Sequence, residues 1–399
     1  MIGFLAHHTR VKPIADPLNL SVMVDETDAD VLVVGMGPAG SSCAWLLATL
    51  GLRVVGIDRK RFPRRKPCGG CITDRVKKLL GGVTEGAIER EYYGARLVHS
   101  RGEDLHFRSG HPIAYGVSRE AFDHLLLGKA LEAGVCVKQA EKFLRANKRN
   151  SYVEAVTDRG TYRVLYLVGA DGVNGILSRW VRGVQNAMVA YEVRVPGWPF
   201  DDPSDTVRIY FGSVSGGYGW AFPKEGYTAA GIVTRWPKKK SPRALLRRFL
   251  RDALDIDETG SLDLTGGTIP LYRSRDRVQL ASDRVLLVGD SGGFADPFLA
   301  EGLSYAVQSS FIAAPIIAGA AARGDGDLNL YEEAVHELVH SSFDYSSTFS
   351  NLIYRFPGLA YRLIRRKRGN IEELFELIRG NKNYRELIGG LGTILRVLG

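Results

Sequence analysis

The residues able to do chemistry in this chain fall into three kinds of segment. Gly35-Met36-Gly37-Pro38-Ala39-Gly40 has the spacing of a phosphate-binding turn, and Asp58 follows Gly40 by eighteen residues. The first glycine permits the turn, the second lets a pyrophosphate approach the backbone, and the third lets a helix pack closely on a strand. A helix opening at Pro38 would add free N–H groups and a partial positive charge, and Asp58 would accept hydrogen bonds from ribose hydroxyls. Next, Lys66-Pro67-Cys68-Gly69-Gly70-Cys71 puts a thiol in a glycine-lined turn behind six basic residues in the eight from Arg59 to Lys66. Those cations could lower the Cys68 pKa, or they could face solvent or cofactor phosphate. Third, Tyr218, Trp220 and Phe222 alternate in Tyr218-Gly219-Trp220-Ala221-Phe222-Pro223. On a strand all three rings share one face, where they would line an apolar channel or fill the core of a sheet.

The elements that must hold these residues are legible. Asp30–Val34 reads as a buried strand, Pro38–Leu50 as the helix after it, and Arg53–Ile57 as a second strand ending at Asp58, together a β-α-β unit. Arg119–Ala133 has helical apolar spacing, and Tyr162–Val168 and Arg284–Val288 read as buried strands. From about 185 to 267 strands such as Thr206–Phe211 and Tyr227–Thr234 alternate with Gly and Pro, as in an antiparallel sheet, and beyond 326 the pattern is mostly helical. The expected organisation is an N-terminal extension over 1–28, a discontinuous nucleotide-binding domain over 29–184 and 268–325, a substrate domain over 185–267, and a C-terminal helical region over 326–399.

With 399 residues and 45% hydrophobic content the chain can bury a large core, which excludes disordered and fibrous classes. The net charge of +9 is clustered and favours an anionic partner. Four cysteines in so long a chain do not form a disulfide framework, so a cytoplasmic setting is expected, with Cys43 and Cys136 as core residues. The apolar stretch from Phe311 to Ala322 is broken by Pro315 and is too short to span a bilayer.

One glycine fingerprint does not distinguish NAD from FAD, so the later segments decide. Gly169-Ala170-Asp171-Gly172 and Val288-Gly289-Asp290-Ser291-Gly292-Gly293 each end an apolar run with an acid beside glycine. Either alone is an ordinary turn. In this order after the fingerprint they resemble the FAD-dependent hydroxylase-like superfamily, in which the later Asp, here Asp290, holds the ribityl side of the flavin. The chain is more specifically similar to the geranylgeranyl reductases, which saturate isoprenoid chains. The likeness runs from Asp30 to about Ala322. It is carried by Lys66-Pro67-Cys68-Gly69, by Arg119-Glu120-Ala121-Phe122-Asp123, by Tyr218 to Pro223, and by Gly289-Asp290 through Asp296-Pro297 to Glu301-Gly302-Leu303. Ser215 and Ala300 depart from that family's usual Pro and Gly, and Cys71 is outside its shared pattern.

The resemblance implies an α/β fold: a Rossmann-type FAD-binding domain with an inserted antiparallel β-sheet substrate domain and C-terminal helices. It implies FAD contacts at Gly35, Gly37, Ala39, Gly40, Asp58, Cys68, Gly69, Arg119, Asp290, Gly302 and Leu303. Tyr218, Trp220 and Phe222 would line the substrate cavity, with Cys68, Tyr218 and Trp220 as candidate catalytic residues and no metal. The substrate would be prenylated and lipid-like, and NADPH or a ferredoxin-like carrier would supply electrons. Cys68 is either a thiol proton donor or positioner beside the flavin, or a small buried residue in a tight turn.

Competing patterns explain less. His336-Glu337-Leu338-Val339-His340 matches H-E-x-x-H, but a zinc protease would leave every flavin segment without a role. A disulfide reductase built on Cys68 and Cys71 would need a second nucleotide fingerprint. An FAD-dependent monooxygenase or hydroxylase of an aromatic or apolar substrate is the alternative within the superfamily. A non-enzymatic prenyl-binding escort would not need Asp58 and Asp290. Basic runs at Arg235–Arg251 and Tyr354–Asn370 suit peripheral contact with anionic lipid, or a solvated helix face, and no nucleic-acid motif accompanies them.

Overall fold

A computed structural model describes residues 27–99, 104–235, 241–256, 262–272, 278–366 and 369–390. The N-terminal extension expected over 1–28 therefore lies almost wholly outside the described residues, as do parts of both basic runs.

The chain begins β1 (Ala29–Val34), α1 (Pro38–Thr49), β2 (Val54–Asp58), β3 (Cys71–Ile72), α2 (Asp74–Leu80), β4 (Ile88–Tyr92), β5 (Gly94–His99), β6 (Leu105–Arg108) and β7 (Ala114–Val117). It continues α3 (Arg119–Glu132), β8 (Cys136–Gln139), β9 (Phe143–Lys148), β10 (Val153–Thr157), β11 (Thr161–Gly169) and α4 (Ile176–Arg182). Then come β12 (Ala187–Pro196), β13 (Thr206–Phe211), β14 (Gly217–Pro223), β15 (Tyr227–Arg235), α5 (Pro242–Leu254), β16 (Thr265–Pro270), β17 (Ala281–Ser282) and β18 (Val285–Leu287). Helices finish it: α6 (Leu303–Arg323), α7 (Asn329–Val335), α8 (Ser341–Arg355), α9 (Pro357–Arg366), α10 (Gly369–Ile378) and α11 (Tyr384–Gly390).

The first sheet has the order β17-β18-β11-β1-β2-β8, with parallel pairing from β18 through to β8 and a β9–β10 ribbon appended to β11. Val31, Leu32 and Val33 of β1 are fully buried, as a parallel strand covered on both faces requires. Helices α1 and α6 pack together on one face. Helix α6 runs through Pro315, whose side of the helix is exposed, so the proline does not end it as the sequence suggested. By length and composition α6 could cross a bilayer, yet 56% of its apolar window is buried in the protein. Cys43 is fully buried, whereas Cys136 lies on β8 and is exposed, contrary to its apolar neighbours' suggestion of a core position.

The second sheet has the order β16-β12-β15-β14-β13-β5-β6. Its pairs are antiparallel except β13–β5, which is parallel. The range 185–267 thus omits two strands of this sheet, Gly94–His99 and Leu105–Arg108, and the end of β16. One face packs on α5 through Tyr210, Ala221, Ile232, Leu246 and Phe249. The other presents Met188, Trp220 and Val233, with Tyr218 and Phe222 beside them. A third sheet, β3-β7-β4, carries Cys71 and packs Tyr92 and Ala114 against Ala95 and Val207 of the second.

Candidate functional site

The fingerprint forms the turn between β1 and α1. Gly35 has φ +95°, and a Cβ there would meet the Ala170 carbonyl oxygen at 2.4 Å. A Cβ on Gly40 would meet the Gly35 carbonyl oxygen at 1.8 Å, so strand and helix approach as closely as backbone allows. Gly37 caps α1 without a side-chain hydrogen bond, and the first turn holds no acidic residue. Its N–H groups and the positive end of the helix are therefore available to an anion. Asp58 accepts from the backbone N–H groups of Met36 and Lys60, both at 2.8 Å, which ties the tip of β2 to the glycine turn. A carboxylate has lone pairs left for ribose hydroxyls after two such bonds.

The late segment closes against the early one. A Cβ on Gly289 would lie 2.6 Å from the Ala39 Cβ, and Ser310 donates to the Ala39 carbonyl at 2.7 Å. Asp290 is half-buried, and its carboxylate takes no hydrogen bond among the described residues; the space where Gly302 would carry a Cβ is 3.2 Å from its Oδ1. Leu303 turns into the core with Ile72, Val76 and Phe122, which leaves its backbone at the start of α6 as its link to the site. Asp171 accepts from the Leu177 N–H and from the Ser291 hydroxyl, so the central Asp-Gly anchors the late Gly-Asp-Ser segment.

The thiol-bearing turn meets the aromatic strand. A Cβ on Gly69 would stand 2.9 Å from the Phe222 ring and 3.1 Å from Trp220 Nε1, so the turn lies directly on both side chains. Ring centroids of Tyr218 and Trp220 are 6.2 Å apart, and those of Trp220 and Phe222 6.3 Å, as alternation on one face of β14 requires. Lys224, 4% exposed, donates to the carbonyls of Gly70 and Val117 and clamps the turn to β7. Burial lowers its pKa, opposed by Cys71, Glu89, Cys68 and Glu192.

Cys68 is half-buried and its sulfur accepts from the Gly70 N–H at 3.4 Å. Arg119 is buried, forms a two-pronged bond with Asp123 at 2.7 and 2.9 Å, and lies near the Cys68 side chain. Cys71 is pushed up to about 12 by burial. Tyr218 donates its hydroxyl proton to the Leu299 carbonyl at 2.5 Å, and burial raises its pKa.

Three residues that the sequence reading did not single out belong to this region: Arg64, Lys224 and Glu192. Arg64 lies 3.4 Å from Asp123 and 3.2 Å from the Cβ position of Gly37. It comes from the basic run Arg59–Lys66, for which the sequence left open the Cys68 thiol, solvent or cofactor phosphate as the partner. Glu192, on β12, is 5% exposed and pushed up to about 7 by burial, with Lys224, Arg194 and Arg65 opposing the rise. No sequence motif marks it.

His336–His340 forms a π-helical turn between α7 and α8. His340 is buried with its ring 5.0 Å from that of Tyr272 and 6.1 Å from that of Phe294, and burial lowers its pKa to about 4.

The donor set fits FAD. An uncapped helix start, an acid with spare lone pairs and a free Asp290 carboxylate surround the junction of the early and late segments. The buried Trp220 indole N–H has no partner among the described residues, as expected where a bound molecule completes the site.

Comparison with known proteins agrees. A family model described as an FAD binding domain matches residues 28–342. A digeranylgeranylglycerophospholipid reductase of Methanothrix thermoacetophila is 28% identical over 78% of this chain and 83% of its own. A geranylgeranyl diphosphate reductase of Rhodobacter capsulatus is 30% identical over 69% and 72%. Among solved structures, a geranylgeranyl bacteriochlorophyll reductase-like protein of Thermoplasma acidophilum superposes with a TM-score of 0.71 at 23% identity, covering 82% of this chain and 87% of that one. A flavin-dependent brominase does so with 0.72 at 21%, covering 92% and 99%, so the fold alone does not select the chemistry. The chain is an FAD-binding oxidoreductase and belongs to the geranylgeranyl reductase family.

Proposed function

We propose that this protein saturates C=C bonds of a geranylgeranyl or other polyprenyl group, carried on a lipid, a quinone or a chlorophyll precursor. The observation that carries this reading is the contact of Trp220 and Phe222 with the Cys68-Gly69 turn, which puts an apolar aromatic surface against the cofactor segment. FAD, once reduced, supplies hydride. The chain's own residues bind and orient it: the start of α1 takes the pyrophosphate, Asp58 the ribose, and Asp290 with Gly302 the ribityl side. Arg119 and Arg64 hold the turn from below through Asp123.

An isolated alkene accepts hydride poorly unless a proton arrives as charge develops, so the site must be dry and must contain an acid. Tyr218 is ill suited to that role because its proton is engaged by Leu299. Cys68 remains a positioner or donor at the turn. The external reductant is NADPH or a ferredoxin-like carrier.

The setting is cytoplasmic, with peripheral contact to a membrane that holds the substrate. Exposed Arg355, Phe356 and Arg362, before and within α9, support that contact. Anaerobic incubation of the reduced protein with candidate prenyl lipids, followed by mass spectrometry, tests the proposal. A gain of about two mass units per double bond is expected. No gain in any prenyl compound, with oxygenation of an aromatic one instead, overturns it in favour of a monooxygenase.

A further inference from the structure

A single transverse row on the second sheet holds three buried polar atoms with no partner among the described residues. Thr265 on β16 faces Glu192 on β12, Glu192 faces Gly231 on β15, and Gly231 faces Trp220 on β14. Directly opposed residues in antiparallel strands put their side chains on the same face. The unpartnered atoms are Thr265 Oγ1, Glu192 Oε2 and Trp220 Nε1. Gly231 keeps the row open: a Cβ there would stand 2.4 Å from the Trp220 ring, so the indole lies across the glycine towards Glu192.

The cofactor turn covers this row. Gly69 is set against Trp220, Pro67 lies 4.0 Å from the Cβ position of Gly267, and the Cys68 backbone N–H faces the Glu192 carboxyl. Among the described residues, the charged groups facing Glu192 are Arg194 on its own strand, Lys224 beyond β14 and Arg65 on the covering loop, and the Tyr227 phenol on β15 also lies near it. Arg194 is already bonded to Glu120 at 2.8 Å, Arg65 to Asp263, and Lys224 to two carbonyls. None of the three forms an ion pair with Glu192. A buried carboxyl with a spare oxygen and no ion pair is held close to its neutral form, a state suited to giving up a proton.

We infer that Glu192 is the residue that supplies the proton for alkene saturation at the Cys68-Gly69 turn. The inference rests on the prenyl-reductase reading. In the step, the alkene π pair takes the Glu192 proton at one carbon while hydride from the reduced cofactor bonds the adjacent carbon. Two C–H bonds form, the O–H bond of Glu192 breaks, the cofactor is oxidised by two electrons, and solvent returns a proton to the carboxylate.

Two measurements on the flavin-loaded protein test this, using Glu192→Gln and Glu192→Asp, with flavin absorbance checking that each variant folds. First, difference infrared spectra across neutral pH are expected to show a carboxylic acid C=O band that disappears with a midpoint near 7 and is missing in Glu192→Gln. Second, pre-reduced protein is mixed with the prenyl substrate and cofactor oxidation is followed. Wild type should slow about tenfold per pH unit above the midpoint. Glu192→Gln should be slower by on the order of 100-fold and flat with pH, and Glu192→Asp should recover part of the rate. An unchanged rate and pH profile in Glu192→Gln, or a band that persists in it, overturns the inference alone. If, in the absence of oxygen, none of the prenyl substrates oxidises the wild-type cofactor, the parent reading fails, and the inference with it.

Discussion

Burial of Glu192 makes stability depend on pH in a direction opposite to that of a salt-bridged carboxylate. Its pKa rises from 4.5 to about 7, so between those values the native state holds a proton that the unfolded chain has released. Stability therefore falls as pH rises through this window and stays lowered above it. Glu192→Gln is expected to exceed wild type by roughly 3 kcal/mol in urea unfolding at pH 8, with the gap closing below pH 4.5. A gap independent of pH would refute this account. Gly69→Ala forces a methyl group to 2.9 Å from the Phe222 ring. It should cost about 1–3 kcal/mol and weaken flavin retention on a desalting column. Lys224→Met leaves the Gly70 and Val117 carbonyls without their cation, and a loss of about 2–4 kcal/mol should follow in thermal or urea melts.

At the level of elements, β1, α1 and β2 could be read because apolar runs and glycines are local signals, and the alternation of Tyr218, Trp220 and Phe222 placed all three rings on one face of β14. Glu192 could not be read, since a lone acid among Val189, Val193 and Val195 looks like the solvent side of an alternating strand. Its burial comes from a loop more than a hundred residues earlier. Pro315 misled because its effect on α6 depends on which side of the helix faces solvent, a tertiary property. The recruitment of β5 and β6 was hidden because a parallel pair such as β13–β5 leaves no turn signature between its strands. Tyr218→Phe frees the Leu299 carbonyl at the end of β14's reach into the late cofactor segment. It should lower flavin affinity several-fold, measured by fluorescence titration of the apoprotein, while leaving the circular dichroism spectrum unchanged.

For the whole molecule, Asp296 joins the cofactor segment to the terminal helices. It accepts from the N–H groups of Phe298 and Leu299 and from the hydroxyls of Ser346 on α8 and Tyr384 on α11. A chain ending at residue 382 loses Tyr384 and exposes Leu377 and Phe298, which pack with it. Such a truncation should lower Tm by several degrees and shed flavin during purification. The same connectivity predicts that residues 185–267 expressed alone will not fold, because β13 then presents an unpaired edge where β5 belongs. Cooperative unfolding of that fragment would refute the prediction.

The parallel pairing of β13 with β5 also has a temporal side. Gly94 leaves the ribosome about 110 residues ahead of its partner Thr206. At roughly 5–20 residues per second the nascent hairpin of β5 and β6 waits on the order of ten seconds with one edge unsatisfied. During that interval the growing chain offers a docking strand to any neighbouring polypeptide. Yield in a host should therefore respond to translation speed between codons 109 and 205 and to the supply of chaperones that shield strand edges.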